Sequence, residues 1–185
     1  MKITEGYMPY LEYKTYYRIV GECTGNKKPL VLLHGGPGST HNYFEVLDKV
    51  AEDGRAVIMY DQLGCGLSST PSRPDLWNAK TWIEELIQLR KHLGLDEIHL
   101  LGQSWGGMQA IQYACEYKPE GIKSYILSST LPALHYGKKN NVEELHTFHR
   151  KCKMPLQKQK KLEIILQKNI KRQKQNSCFV TVQAQ

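Results

Sequence analysis

The chain has 185 residues, of which 41% are hydrophobic and 23% are charged, and this composition is typical of a globular domain with its own core. No apolar run approaches the roughly 20 residues that a membrane-spanning helix needs, and the first residues lack the basic and apolar regions of a signal peptide. We therefore expect no membrane partner. The five cysteines are odd in number and none has C-x-x-C spacing, which predicts no zinc site and favours a reducing cytoplasm.

The net charge of +7 is distributed unevenly along the chain. Residues 1–134 carry 13 Lys and Arg against 15 Asp and Glu, whereas residues 135–185 carry 12 basic residues and only 3 acidic ones. This division predicts a mildly acidic folded part over 1–134 and a basic tail, rich in Lys and Gln, over 135–185. The tail shows no clear alternation of strand and helix patterns, and we expect it to be helical or disordered.

The beginning of the chain predicts strands at a sheet edge. Residues 3–22 are rich in aromatic and β-branched residues with partial alternation, which favours antiparallel edge strands. Residues 29–39, PLVLLHGGPGS, form a short apolar run that ends in a Gly/Pro turn, a pattern typical of a strand buried on both faces. A helix is predicted next, over 41–54, and it should stop near Gly54.

The alternation of apolar strands and amphipathic helices continues to about residue 130. The predicted elements are a second buried strand within 56–66, a helix within 78–94, a third strand within 97–107, a helix within 108–121 and a fourth strand within 123–130. Repeated alternation of this kind indicates an α/β protein with a doubly wound, mostly parallel sheet.

A G-x-S-x-G motif, Gly102-Gln103-Ser104-Trp105-Gly106, lies between an apolar strand and a helix. In this position it predicts a nucleophile elbow, a strained turn that needs small residues on both sides of the serine. We expect Ser104 to be a catalytic nucleophile and the backbone N–H of Trp105 to be one donor of an oxyanion hole. The alternative is that Ser104 merely sits in a glycine-rich connection.

A second motif, His34-Gly35-Gly36-Pro37-Gly38, follows the first buried strand. Its glycines would let the backbone approach a bound carbonyl closely, and we expect Gly36 to be the second oxyanion donor. His34, Gly35, Pro37 and Gly38 are expected to support this loop. His34 precedes the serine, whereas the general base of this class follows it, so we do not predict His34 as the base. An ordinary tight turn is the alternative.

Together the motifs HGGPG, DQLGCGLS and GQSWGG resemble the α/β-hydrolase family, and within it the proline iminopeptidases (prolyl aminopeptidases). The resemblance covers essentially residues 1–134. It implies the α/β-hydrolase fold and a serine aminopeptidase that releases an N-terminal residue, preferably proline, from short peptides through an acyl-enzyme. It also implies the roles given above for Ser104, Gly36 and Trp105, and it implies no metal or organic cofactor.

The resemblance stops near residue 134, where the family continues with a helical cap, further strands and the acid and base of its triad. No Asp follows Ser104 in this chain, and the later histidines, His135, His146 and His149, match no family motif. We therefore expect the cap and the C-terminal half of the fold to be missing, one sheet edge to be unpaired, and activity to be low or absent in this chain alone.

The composition of the tail also fits a change of reading frame. Codons can be chosen for residues 160–173, KKLEIILQKNIKRQ, so that a two-base shift encodes an acidic, tyrosine-containing segment similar to the family's cap. The hypothesis is that residues from about 135 onward are translated out of frame.

Two other functions stay open on the sequence alone. The chain could be a different α/β-hydrolase, an esterase or amidase, that completes its site from the tail, with His146 or His149 as base, or from a partner. It could also be a non-enzymatic protein that binds through its basic tail. The tail lacks interleaved aromatic residues and RNA-binding motifs, so we predict no specific nucleic-acid partner.

Overall fold

Seven strands form one sheet in the spatial order β1-β2-β4-β3-β5-β6-β7. The structure is a computed structural model that describes residues 1–130 and the backbone of residues 179–183. The strands are β1 (Ile3–Tyr10), β2 (Tyr13–Val20), β3 (Leu30–Leu33), β4 (Val57–Tyr60), β5 (Ile98–Gln103), β6 (Ile122–Ser128) and β7 (Phe179–Gln183).

Strands β1 and β2 form an antiparallel hairpin at one edge of the sheet, and β2 pairs antiparallel with β4. Inside the sheet, β4, β3, β5 and β6 pair in parallel. The sequence prediction of antiparallel edge strands followed by four parallel strands is therefore confirmed.

Both faces of the parallel strands are covered, as their apolar sequences predict. Successive residues of β3 point to opposite faces, so that Val31 and Leu33 join one hydrophobic cluster while Leu30 and Leu32 join the other. The first cluster includes residues of both α-helices, and the second includes residues of the helix after β3. This arrangement confirms the predicted doubly wound α/β fold class.

Two α-helices flank the predicted site. Helix α1 (Ala79–His92) begins at Asn78, whose side chain accepts the Thr81 N–H at 3.0 Å, and it buries Trp82, Leu86 and Leu89 against the sheet. Each such side chain contributes about 1.5–3 kcal/mol by leaving water. Helix α2 (Trp105–Gln112) continues into a π-helical turn, Tyr113–Tyr117. Helix α1 lies within the segment predicted to be helical, whereas α2 begins at Trp105, three residues before the predicted segment 108–121, because the turn at Ser104 leads directly into the helix.

The helix predicted over 41–54 is a 3₁₀ helix, Asn42–Asp53, and it ends at Gly54 in the left-handed conformation. A 3₁₀ helix has three residues per turn. Phe44, Leu47 and Val50 are spaced by three and all pack in the second cluster, so this period places them on one face. The sequence predicted the helix but not its type. A short 3₁₀ turn, Pro74–Leu76, precedes α1.

The expected unpaired edge at β6 is wrong for this structure, because β7 pairs with β6 in antiparallel register, from Ser128 opposite Phe179 to Ser124 opposite Gln183. Its sequence, FVTVQ, is rich in β-branched residues, which suits a strand, and a free edge offers unpaired backbone groups to such a segment. The rest of the predicted tail over 135–185, including His135, His146 and His149, lies outside the described residues.

Candidate active site

Ser104 sits in a sharp turn between the end of β5 and the start of α2. Its backbone has φ 51° and ψ −113°, a conformation that costs a non-glycine residue on the order of 1–3 kcal/mol. The turn is fixed from outside, because the Ser104 N–H donates to the Ser128 carbonyl at 2.9 Å and the Thr130 hydroxyl donates to the Ser104 carbonyl at 2.7 Å. The motif therefore adopts the strained elbow that the sequence predicts.

The glycines around Ser104 are required by close backbone contacts. A Cβ at Gly102 would collide with the Gly106 carbonyl, and a Cβ at Gly106 would collide with the Leu33 carbonyl. Gly107 is equally confined, since its Cβ would lie 2.5 Å from Cβ of Thr130. The contact between Gly106 and Leu33 presses the elbow against the end of β3, where the His-Gly-Gly-Pro-Gly loop begins.

The loop after β3 needs glycine at Gly36, which has φ 126° and whose Cβ would lie 2.5 Å from the Gly38 nitrogen. Gly35 donates its N–H to the Tyr43 hydroxyl at 2.6 Å, and this hydroxyl donates to Gln103 Oε1 at 3.0 Å. Among the described residues no acceptor is present for the Gly36 N–H. The Gly35 N–H is already used by Tyr43, so the Gly36 N–H is the one that can donate a hydrogen bond to a ligand.

Trp105 is the first residue of α2, so its backbone N–H has no acceptor within the helix. The two predicted oxyanion donors therefore belong to chain segments that touch through Gly106 and Leu33. An N–H at a helix start also carries part of the positive end of the helix dipole, which favours a developing negative charge there.

His34 is fully buried and uses both ring nitrogens to hold loops together. Its Nδ1 lies 2.8 Å from the Gly35 carbonyl, and its Nε2 accepts the Gln62 N–H at 3.0 Å. This pattern fits a neutral ring protonated at Nδ1. Burial also lowers the pKa of His34 and favours the neutral form. The side chain thus joins the loop after β3 to the loop after β4, which fits the expected supporting role.

A buried pair, His41 and Asp61, is a feature that the sequence reasoning missed. Asp61 accepts the His41 N–H at 2.7 Å, contacts His41 Nδ1 at 2.8 Å and accepts the Leu67 N–H at 2.9 Å. Burial alone would raise the pKa of Asp61, but the hydrogen bonds from His41 and Leu67 bring it below its ordinary value. The residues are 20 positions apart, and no local pattern predicts their contact.

Asp61 is placed to orient His41 as an acid orients a base, but His41 forms no hydrogen bond with Ser104. His41 Nε2 lies 3.9 Å from Glu45 Oε1. Two further histidines of residues 1–130 make contacts away from the serine. His99 Nδ1 lies 2.7 Å from the Ser124 hydroxyl, and His92 packs against Tyr17. Within residues 1–130 no histidine is hydrogen-bonded to Ser104.

A cleft of about 470 Å³ opens beside the elbow and is lined by all three tryptophans of the chain, Trp77, Trp82 and Trp105, together with Pro37 and Gly38. The Trp82 and Trp105 rings meet edge to face with centroids 5.7 Å apart. Trp105 Nε1 is buried and has no acceptor among the described residues. The cleft therefore offers an aromatic wall beside the elbow.

Leu63, Gly64 and Cys65 also line the cleft. Burial raises the pKa of the Cys65 thiol to about 11, so this group is neutral at ordinary pH. Within residues 1–130 no cluster of His, Cys, Asp and Glu could hold a metal ion. In the same part of the chain no helix is long and apolar enough to cross a membrane.

Comparison with known proteins identifies relatives of this chain. The family model for the alpha/beta hydrolase fold matches residues 28–151. Over 133 residues the chain is 99% identical to a proline iminopeptidase of Clostridium botulinum, and over 131 residues it is 82% identical to one of Clostridioides difficile. These matches cover 72% and 71% of the chain.

The chain spans only 45% of the length of each of these curated relatives. Among solved structures, the crystal structure of a proline iminopeptidase from Mycobacterium smegmatis superposes with a TM-score of 0.61 at 35% identity, over 64% of this chain and 41% of that one. The family model covers more than half of the chain, and the sheet and elbow agree with its description. The chain belongs to the alpha/beta hydrolase fold family.

Proposed function

We propose that this chain carries the nucleophile and oxyanion hole of a serine aminopeptidase of the proline iminopeptidase type, acting in the cytoplasm on short peptides with N-terminal proline. The observation that carries the proposal is the strained backbone of Ser104 between β5 and α2, packed by Gly106 against the end of β3. The high identity to proteins named proline iminopeptidase supports the choice of reaction.

In the proposed reaction Ser104 Oγ attacks the carbonyl carbon of the N-terminal residue. The carbonyl oxygen becomes an oxyanion that accepts hydrogen bonds from the Gly36 and Trp105 N–H groups, and the serine proton passes to a general base. The amine of the next residue leaves with a proton, and water then hydrolyses the acyl-enzyme. The aromatic cleft supplies an apolar surface that suits a pyrrolidine ring better than a charged side chain.

Residues 1–130 do not supply the general base of this reaction, since none of their histidines is hydrogen-bonded to Ser104. A serine hydroxyl without a base is a weak nucleophile. We therefore propose that this chain reacts slowly with strong electrophiles and turns over peptide substrates poorly or not at all. A different esterase or amidase activity, completed by a partner, would instead show turnover of ester substrates.

The test is labelling with a fluorophosphonate probe, followed by hydrolysis of a proline arylamide. We expect slow stoichiometric labelling of the full chain, loss of labelling in Ser104→Ala, and little release of the arylamine. Thr130→Ser is a matched control, because it keeps the hydroxyl that bonds the Ser104 carbonyl. Equal labelling of wild type and Ser104→Ala contradicts the proposed nucleophile, and rapid arylamide turnover contradicts the proposed lack of a base.

We also propose that residues from about 135 onward are encoded out of frame. The supporting observation is the abrupt change from an acidic to a strongly basic composition near that point. Sequencing the coding DNA past codon 130 decides the matter. A second frame that encodes an acidic cap followed by an Asp and a His supports the proposal, and a second frame without them contradicts it.

A further inference from the structure

Two glutamines form a buried amide pair that takes no direct part in the proposed reaction. Gln62 follows β4 by two residues and Gln109 lies on α2, and both side chains are buried. Gln62 Nε2 donates to Gln109 Oε1 at 2.8 Å, and Gln109 Nε2 donates to Gln62 Oε1 at 3.4 Å. An unpaired buried amide is costly, so this pair favours the one spacing of the two segments at which both amides are satisfied.

The backbone of Gln62 bonds to the loop after β3. Its N–H donates to His34 Nε2 at 3.0 Å, and Nδ1 of the same ring donates to the Gly35 carbonyl at 2.8 Å. This carbonyl and the Gly36 N–H belong to one trans peptide group, in which they point in opposite directions. The bond from His34 therefore sets the direction of the Gly36 N–H, which is the predicted oxyanion donor of this loop.

The side chain of Gln62 bonds to the helix that begins with the other predicted donor. Trp105 is the first residue of α2, and Gln109 lies one helical turn later on the same face. A shift of α2 along its axis would move the Trp105 N–H and would also break the bonds between Gln62 and Gln109. The amide pair thus ties the position of the Trp105 N–H to Gln62.

The residues on both sides of Gln62 are held by further elements. The Asp61 carboxylate accepts the His41 N–H at 2.7 Å, and the Leu63 N–H donates to Glu85 on α1 at 2.9 Å. Gln62 is therefore anchored by contacts other than those it makes with the two oxyanion segments. An anchored residue of this kind can fix the distance between two groups that bond to it.

We propose that Gln62 is a positioning residue for the oxyanion hole, because it links the two segments that carry the Gly36 and Trp105 N–H groups. Its own N–H acts on the first segment through His34, and its side chain acts on the second through Gln109. The proposal rests on the proposed function, which takes these two N–H groups as the donors. Apolar side chains could fill the same space in several arrangements, whereas the amide pair is satisfied in one.

The test replaces the two amides by methionine, an unbranched side chain of similar length that cannot form the pair. Gln62→Met leaves the Gln109 amide unpaired, and Gln109→Met does the converse, so both should unfold at lower urea than the wild type. The double variant Gln62→Met/Gln109→Met contains no unpaired amide. Because replacing both partners by apolar groups can be nearly neutral, we expect the double variant to recover most of the lost stability.

The positioning role predicts that reactivity does not recover with stability. We expect the rate at which a fluorophosphonate labels Ser104 to fall about 10-fold in each single variant and to stay about 10-fold low in the double variant, since misplaced donors lose part of the roughly 100-fold that a whole donor contributes. Gln112→Met is the matched control on the same helix, at an amide that donates to Glu116, and it should label as the wild type does.

The ³¹P resonance of the Ser104 adduct gives a second readout, because it depends on the hydrogen bonds that the phosphoryl oxygen accepts. We expect the difference between the resonances of the folded and the urea-unfolded adduct to be smaller in all three methionine variants than in the wild type. The Gln112→Met adduct should show the full difference.

A double variant with the labelling rate and the ³¹P resonance of the wild type overturns the positioning role, because the amides would then contribute to folding alone. If the single variants do not fold, the double variant decides by itself. In that result the proposed function stands as long as Ser104→Ala abolishes labelling of the wild-type chain. Labelling that persists in Ser104→Ala overturns the proposed nucleophile and the positioning role together.

Discussion

The elbow around Ser104 and the cleft wall around Leu63 lie side by side but are held by different interactions. The elbow is fixed by backbone: Gly102 and Gly106 admit no side chain, and Ser104 is bonded to the end of β6. The wall is fixed by side chains that reach it from α1, Trp82 and Glu85. The comparison teaches that close backbone contacts hold the elbow in place, whereas side chains of a single helix hold the cleft wall.

The largest expected effect concerns the stability contributed by Glu85. Its pKa is about 8 in the folded chain against an ordinary 4.5, so the folded state binds this proton more tightly. The contribution is fully present below about pH 4.5 and is lost as pH rises to about 8, about 5 kcal/mol in the free energy of unfolding. Urea unfolding across this range should show a flatter profile for Glu85→Gln than for wild type or Glu84→Gln.

The elbow should respond to steric change instead. Gly106→Ala forces a methyl group against the Leu33 carbonyl, and we expect a loss of about 3 kcal/mol in the free energy of unfolding at every pH. Urea unfolding checks this value. Gly25→Ala is the control, since its Cβ meets nothing within 4 Å and only its φ of 55° carries a cost of about 1 kcal/mol. Equal losses in both variants would contradict the packing of elbow on strand.

The oxyanion loop should affect reactivity more than stability. Gly36→Ala displaces the predicted donor, because the backbone has φ 126° and the methyl group would meet the Gly38 nitrogen. Loss of one oxyanion donor costs about 100-fold in rate. We expect the fluorophosphonate labelling rate to fall by that order while Gly25→Ala labels normally. Normal labelling of Gly36→Ala would show that the Gly36 N–H is not an oxyanion donor.

The smallest effect should come from the support behind that loop. Tyr43→Phe leaves the Gly35 N–H without its acceptor, which costs about 1 kcal/mol because the site is only partly buried. The shift of the urea midpoint measures it. Tyr7→Phe removes a hydroxyl from another tyrosine of similar exposure and should leave the midpoint unchanged. A midpoint for Tyr43→Phe equal to that of Tyr7→Phe would show that this bond adds nothing.

The features that the sequence predicted are those that local residues determine. Alternating apolar runs predicted β3 to β6 and the helices between them, and the glycines around Ser104 and Gly36 predicted the two turns, since no other residue fits there. The 3₁₀ form of Asn42–Asp53 was missed because three- and four-residue spacings overlap in a short helix.

The features that the sequence did not predict depend on contacts between distant segments. β7 pairs with a strand some 50 residues earlier, and a run of five residues in a basic tail gives no sign of that partner. Asp61 with His41 and Glu85 with Leu63 join residues about 20 positions apart. One signal was available: Glu85 is an acidic residue beside Leu86 and Leu89 on the apolar face of α1, where a buried charge needs an explanation.

The central claim is that Ser104, Gly36 and Trp105 form one reactive site. A crystal structure of the full chain after reaction with a fluorophosphonate tests it directly. We predict phosphorus bonded to Ser104 Oγ, with its phosphoryl oxygen within hydrogen-bond distance of both the Gly36 and Trp105 N–H groups. A phosphonate on another residue, or a phosphoryl oxygen directed away from both donors, would contradict the account.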